Sequence, residues 1–303
     1  MRLPNLGIIV LTQYLLRYCV INYWYDYSGV SAAFSNLDFA LLVLSTLLIT
    51  AGGNIINDIF DVETDSINRP EKMLVGKFIP PFTAKIFYLS LSITGMLIGV
   101  YLAYRVQSFQ LGLIFPAIVI MLWLYSKTYQ KVLLLGNVIV ASLSAMVILI
   151  VWLFEFFALT SNPNIYVEVQ NSLKFISHIF LAYALFAFIV SMIREILKDA
   201  EDRVGDFETG YGTLAVVWGQ SVAKYLASVL LIVGMAFLSF VLYWLYQNGF
   251  QMVMWYLGIV HILFVYVLYY TLIARSKKDF HSVSNAVKVI MLAGILSMQL
   301  FCI

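Results

Sequence analysis

Apolar residues run along this chain in blocks of roughly 17–25, each long enough to cross about 30 Å of hydrocarbon as a helix. Nine blocks can be marked, at 5–24, 37–56, 84–104, 108–125, 133–157, 175–195, 222–245, 252–274 and 283–302. Backbone groups in lipid find no water to bond, so each block must satisfy its own N–H and C=O groups and is predicted to be helical. The expected fold class is all-α: a polytopic membrane protein with nine transmembrane helices around a central cavity. Pro and Gly mark no domain boundary, so residues 1–303 are read as one transmembrane domain.

The first block starts like a secretory signal, with Arg2 before the apolar run Leu6–Val20. Gln13, Tyr14 and Arg17 interrupt it and no small-x-small cleavage pattern follows, so it is read as a retained span. An arginine at membrane depth is costly, and Arg17 is expected to turn inward to a carboxylate or a phosphate. Between the blocks, 57–83 and 196–221 are expected to be long cytoplasmic loops. The segment 158–174, with Asn162, Pro163 and Asn164, is expected to be a loop on the other side.

Charge orients this layout. With the N-terminus in the cytoplasm, the even-numbered spans lead into loops bearing Arg69, Lys72, Lys77 and Lys85; Lys127 and Lys131; Lys198, Arg203 and Lys224; and Arg275, Lys277 and Lys278. The opposite loops hold only Arg105 and Lys174, as the positive-inside rule requires. The expected location is an integral protein of the plasma (inner) membrane. Composition agrees with a lipid environment: of 303 residues 62% are hydrophobic and 11% charged, against about 25% charged in a soluble domain. A net charge of +2 makes no case for nucleic acid. Cys19 and Cys302 lie in apolar runs without metal-ligand or disulfide spacing, and His178, His261 and His281 are scattered without a triad or zinc pattern.

Against this apolar background two acidic clusters stand out. The second block ends Asn54-Ile-Ile-Asn57-Asp58-Ile-Phe-Asp61-Val-Glu63-Thr-Asp65. On a continuous helix, positions 54, 58, 61 and 65 fall within a stripe of about 60°. The sixth block ends Arg194-Glu195-Ile-Leu-Lys198-Asp199-Ala-Glu201-Asp202-Arg203-Val-Gly205-Asp206, and Glu195, Asp199, Asp202 and Asp206 repeat the same spacing. More than half of the chain's 16 acidic residues fall in these two stretches. Carboxylates stacked at helical spacing repel one another unless a cation neutralises them. All-oxygen ligands favour Mg²⁺, which takes one or two carboxylates, waters and substrate phosphates. Asn68, Arg69, Lys72, Lys77, Arg194 and Lys198 could grip the phosphate oxygens. Acids in membrane spans also mark ion paths, so a cation transporter is an alternative. These acids, however, lie at helix ends rather than at the midplane expected for transport.

The clusters resemble the two signatures of the UbiA-type membrane prenyltransferases. Asn57 to Asp65 matches N-D-x-x-D-x-x-x-D, Asn68-Arg69-Pro70 matches the N-R-P that follows it, and Asp199, Asp202 and Asp206 match D-x-x-D-x-x-x-D. The resemblance implies nine spans, a prenyl diphosphate donor and two Mg²⁺ ions bridging the diphosphate, held by Asp58, Asp61, Asp65, Asp199, Asp202 and Asp206. Asn54 and Asn57 would assist, and Asp65 or Asp202 could take the acceptor's proton. Arg194 to Asp206 further resembles R-E-I-x-K-D-x-x-D-x-x-G-D of the branch that transfers a geranylgeranyl group to geranylgeranylglyceryl phosphate. A quinone-precursor acceptor such as 4-hydroxybenzoate is the alternative within the family. Two departures are visible. The family's T-L-P turn reads Thr213-Leu214-Ala215, and its paired lysines after a tyrosine read Tyr125, Lys127 and Lys131, with Gln130 between. Tyr125 and Tyr129, beside Lys127, are the aromatic candidates for the mouth of the site.

Overall fold

The computed structural model describes residues 3–71 and 73–302, so Lys72 lies outside the described residues. Among them every element is helical apart from an isolated bridge between Val75 and Ile79. The helices are α1 (Leu3–Tyr27, π-helical over Leu16–Asn22), α2 (Asn36–Phe60), α3 (Val62–Asn68), α4 (Pro81–Arg105), α5 (Phe109–Lys127) and α6 (Leu135–Thr160). They continue as α7 (Pro163–Glu208), α8 (Leu214–Val217), α9 (Gln220–Gln247), α10 (Gln251–Ile273) and α11 (Lys277–Leu296), the last extended by a 3₁₀ turn at Ser297–Phe301. Nine helices among the described residues are long and apolar enough to cross a membrane, matching the nine expected blocks.

Local sequence sets the helix ends. Ser35 caps α2 by accepting from the Asp38 N–H at 3.1 Å. Pro81 stands in the first turn of α4, where the missing N–H leaves no bond unmade. Ser276 and Asp279 form a reciprocal capping box on α11.

The expected loop 158–174 is corrected here. Only Ser161 and Asn162 separate α6 from α7, because Pro163 fits the first turn of a helix and the polar residues after it continue that helix. With 46 residues α7 spans about 69 Å. That is more than twice the roughly 30 Å hydrocarbon core, so its polar ends extend beyond the hydrocarbon.

Contacts divide the chain into two compact units, one of Met1–Thr128 with Met146–Leu181, the other of Tyr129–Ala145 with Ala182–Ile303. Helices α6 and α7 run without a break through the division. In the first unit, α2 and α4 approach closely through small residues. Ser45 donates from Oγ to the Gly95 C=O at 2.6 Å. A Cβ on Gly95 would lie 2.8 Å from Ile49 Cγ1 and 3.0 Å from the Ser45 carbonyl. Gly99 makes room in the same way for the Phe115 ring of α5.

The polar residues of α1 also turn inward. Gln13 donates to the Val147 C=O at 3.0 Å. Arg17, in the π-helical turn and 2% exposed, pairs with Glu155 of α6 and donates to the Phe34 C=O. Glu155 also accepts from the Ala33 N–H at 2.7 Å and the Phe34 N–H at 3.2 Å. The expected inward turn of Arg17 is thus met by a carboxylate, within a network that ties the α1–α2 connection to α6.

In the second unit, Gly234 of α9 accommodates Phe264 of α10, and Gly294 of α11 accommodates Phe186 of α7. Lys224 of α9 donates to the carbonyls of Leu272 (3.1 Å) and Ala274 (3.4 Å), covering acceptors at the end of α10 that have no helical partner.

Candidate active site

The first motif lies where α2 ends. Asn54, Asn57 and Asp58 occupy its last two turns, and Asp61 follows with φ −89° and ψ 4° before α3 begins. The single helical stripe expected over 54–65 is therefore interrupted at Asp61. Hydrogen bonding continues across the interruption, which keeps the side chains close to their helical phase. The Asp61 N–H donates to the Asn57 C=O (2.9 Å), the Asp65 N–H to the Asp61 C=O (2.8 Å) and the Arg69 N–H to the Asp65 C=O (2.8 Å). Asn57 is buried, and Asn54, Asp58, Asp61, Asp65, Asn68 and Arg69 are half-buried, whereas Glu63, Ser66 and Pro70 are exposed. Asn57 donates from Nδ2 to Asp61 Oδ2. Of the other predicted residues in this unit, Tyr125 is half-buried. Lys77 is exposed beside Phe78, and Lys127 is exposed 4.6 Å from the Trp123 ring centroid.

The second motif stays helical. The expected loop over 196–221 is corrected by α7, which carries Asp199, Asp202 and Asp206 and ends at Glu208. Glu195 and Asp206 are buried, Lys198, Asp199 and Asp202 half-buried, and Arg203, Val204 and Phe207 exposed. The acids therefore share the inner face that their spacing predicts. Past the helix end the chain folds back on the motif. The Tyr211 N–H donates to the Asp206 C=O at 2.7 Å, and Thr213 Oγ1 donates to Asp206 Oδ2 at 3.3 Å. Arg194 pairs with its neighbour Glu195.

The short 3₁₀ turn Tyr129–Lys131 docks on this segment. The Gly212 N–H donates to the Lys131 C=O at 2.9 Å, and Gln130 Nε2 donates to the Tyr211 hydroxyl at 3.1 Å. Lys131 Nζ lies 4.7 Å from the Tyr211 ring centroid. A Cβ at position 212 would come 3.1 Å from the Lys131 carbonyl, so glycine suits this approach. Lys131 is thereby tied to the second motif's segment, while Lys127 belongs to the other unit.

Two polar residues that matter here escaped the sequence reading. Asn137 of α6, 6% exposed, donates from Nδ2 to Asp199 Oδ2 at 2.7 Å. Glu155 is the buried partner of Arg17. Both lie in the mostly apolar run 133–157, where a strongly polar side chain is itself a sign of an inward partner.

Electrostatics set the motifs apart from ordinary helix ends. Asp58 in α2, and Asp202 and Asp206 in α7, stand near C-termini, where the helix dipole is negative and a carboxylate is disfavoured by about 0.3–1 kcal/mol. Neither helix carries a basic residue in its last turn. A cation bound beside these carboxylates would offset that cost. Among the described residues, no three His, Cys, Asp or Glu side chains converge into a complete metal-ligand set. The donors within the motifs are carboxylate and amide oxygens, which suit Mg²⁺ because it completes its shell with water and substrate oxygens.

Residues 15–289 match the family described as the UbiA prenyltransferase family. The chain belongs to the UbiA prenyltransferase family. The digeranylgeranylglyceryl phosphate synthase of Methanosphaera stadtmanae is 29% identical over 263 residues, covering 86% of this chain and 87% of that protein. The enzyme of the same name from Ignicoccus hospitalis is 31% identical over 220 residues, covering 68% and 67%. A solved digeranylgeranylglyceryl phosphate synthase superposes with a TM-score of 0.61 at 24% identity, over 98% of this chain and 99% of that one. A UbiA homologue from Archaeoglobus fulgidus, bound to DMAPP and Mg²⁺, superposes with a TM-score of 0.53 at 15% identity, over 97% of each chain. These likenesses establish the UbiA fold, and with the family they make this chain an integral membrane prenyltransferase.

Proposed function

We propose that this UbiA-family protein transfers a geranylgeranyl-type group from its diphosphate to the free hydroxyl of geranylgeranylglyceryl phosphate, a step in ether lipid synthesis. The observation that carries the acceptor assignment is the similarity, over most of the chain, to digeranylgeranylglyceryl phosphate synthases. The stretch from Arg194 to Asp206 is the local counterpart of that similarity.

Asp58, Asp61, Asp65, Asp199, Asp202 and Asp206 are the carboxylates that would hold Mg²⁺, as two ions with the diphosphate. When bound, the metal supplies Lewis-acid neutralisation of the leaving group. Asn57 orients Asp61 by its amide hydrogen bond, and Asn54 stands one turn earlier on the same face. Arg69, Lys77, Lys127, Lys131, Arg194 and Lys198, with Asn68, Tyr125 and Lys72, are the residues offered to phosphate oxygens and headgroup. In the reaction the allylic C–O bond breaks and its electron pair leaves with diphosphate. The acceptor hydroxyl oxygen then bonds to the allylic carbon, and its proton passes to a carboxylate, for which Asp65 and Asp202 are the candidates. The apolar spans exclude water, which would otherwise capture the allylic cation.

The Lys and Arg bias supports a cytoplasmic N-terminus and cytoplasmic motifs in the plasma membrane. The continuity of α6 and α7 supports the 303 residues acting as one transmembrane domain.

The test is an assay of purified protein with radiolabelled geranylgeranyl diphosphate and Mg²⁺, offered geranylgeranylglyceryl phosphate or 4-hydroxybenzoate. Label is expected in a diether phospholipid. Label in prenylated 4-hydroxybenzoate alone would overturn the acceptor assignment, and ion uptake without prenyl transfer would overturn the enzyme.

A further inference from the structure

We propose that Asn137 is a positioning residue for the reaction, whose side-chain amide holds the Asp199 carboxylate in the orientation that serves Mg²⁺ and diphosphate. The inference rests on the proposed function and adds to it a residue that lies outside both motifs.

Asn137 is buried in the first turn of α6, a helix of mostly apolar residues, where an amide without a partner would be unfavourable. Its Nδ2 donates to Asp199 Oδ2 at 2.7 Å, a well-formed hydrogen bond. The bond is to Oδ2, which leaves acceptor capacity on Oδ1. The choice of donor matters as much as the contact. A lysine or arginine at the same place would neutralise Asp199 and weaken its hold on a cation, whereas an amide orients the carboxylate and leaves its charge. The nearby cation Arg194 is engaged with Glu195 instead. The first motif shows the same device, with Asn57 donating to Asp61. Hydrogen-bond partners of metal ligands typically change metal affinity by about 10–100-fold.

The experiment compares wild type with Asn137→Leu, which keeps the volume and removes the donor, and Asn137→Ser, which shortens it. Asp199→Asn is the control. Half-saturating Mg²⁺ for turnover is measured, together with binding of Mn²⁺ in the presence of inorganic pyrophosphate, read by electron paramagnetic resonance. Either folded asparagine variant is expected to raise half-saturating Mg²⁺ and weaken Mn²⁺ binding by about 10-fold, with turnover at saturating Mg²⁺ affected less. If Asn137→Leu does not fold, Asn137→Ser decides. Unshifted Mg²⁺ and Mn²⁺ values alongside an inactive Asp199→Asn overturn the positioning role alone. Full activity in Asp199→Asn overturns the metal role of the second motif itself.

Discussion

Asp61 and Asp202 show how much one carboxylate carries in this chain. Each lies on the half-buried face of its motif, and replacing either with asparagine keeps shape while removing the charge a cation needs. Transfer is expected to fall by more than the about 10–100-fold typical of losing a ligand's hydrogen-bond partner. The protein should remain helical and membrane-inserted by circular dichroism and size-exclusion chromatography. Wild-type rates in both variants would remove the metal role. The Arg17–Glu155 pair predicts the opposite pattern. Both side chains are almost fully buried, so Glu155→Gln strands a charge and is expected to cost about 3–5 kcal/mol. The double variant Arg17→Met with Glu155→Gln should lose less than Glu155→Gln alone, because no charge is left unpaired and the amide oxygen can still accept from the Ala33 N–H. Thermal unfolding in detergent distinguishes the two, and equal losses would refute the explanation.

At the scale of elements, close helix packing depends on glycines that admit a neighbour. Gly95 of α4 faces the Ser45 carbonyl and Ile49 of α2 with no space for a larger residue. Gly95→Val is therefore expected to destabilise by about 1–3 kcal/mol, seen as a lowered midpoint of thermal unfolding. The element that departed furthest from expectation is α7. Its terminal turns are polar, and a window tuned to apolar runs stops at residue 195, although the acids at 199, 202 and 206 keep helical spacing. The break at Asp61 was equally hard to read, since the residues on either side preserve the helical phase through backbone bonds. Conversely, the face each motif turns inward was legible, because spacing alone places those acids together on a helix.

At the scale of the whole molecule, activity is expected to vanish with a chelator and return with Mg²⁺ or Mn²⁺; turnover without a divalent cation would count against the mechanism. Nine spans, the side bearing Lys and Arg, the two acidic motifs and the family resemblance were all present in the amino-acid sequence. They are written in composition and periodicity, which act over a few helical turns. Only the tertiary structure could find Asn137 beside Asp199, 62 positions apart in sequence, or Glu155 against Arg17, 138 apart. Burial turns a lone polar side chain toward whichever partner packing brings near it, and no local pattern names that partner.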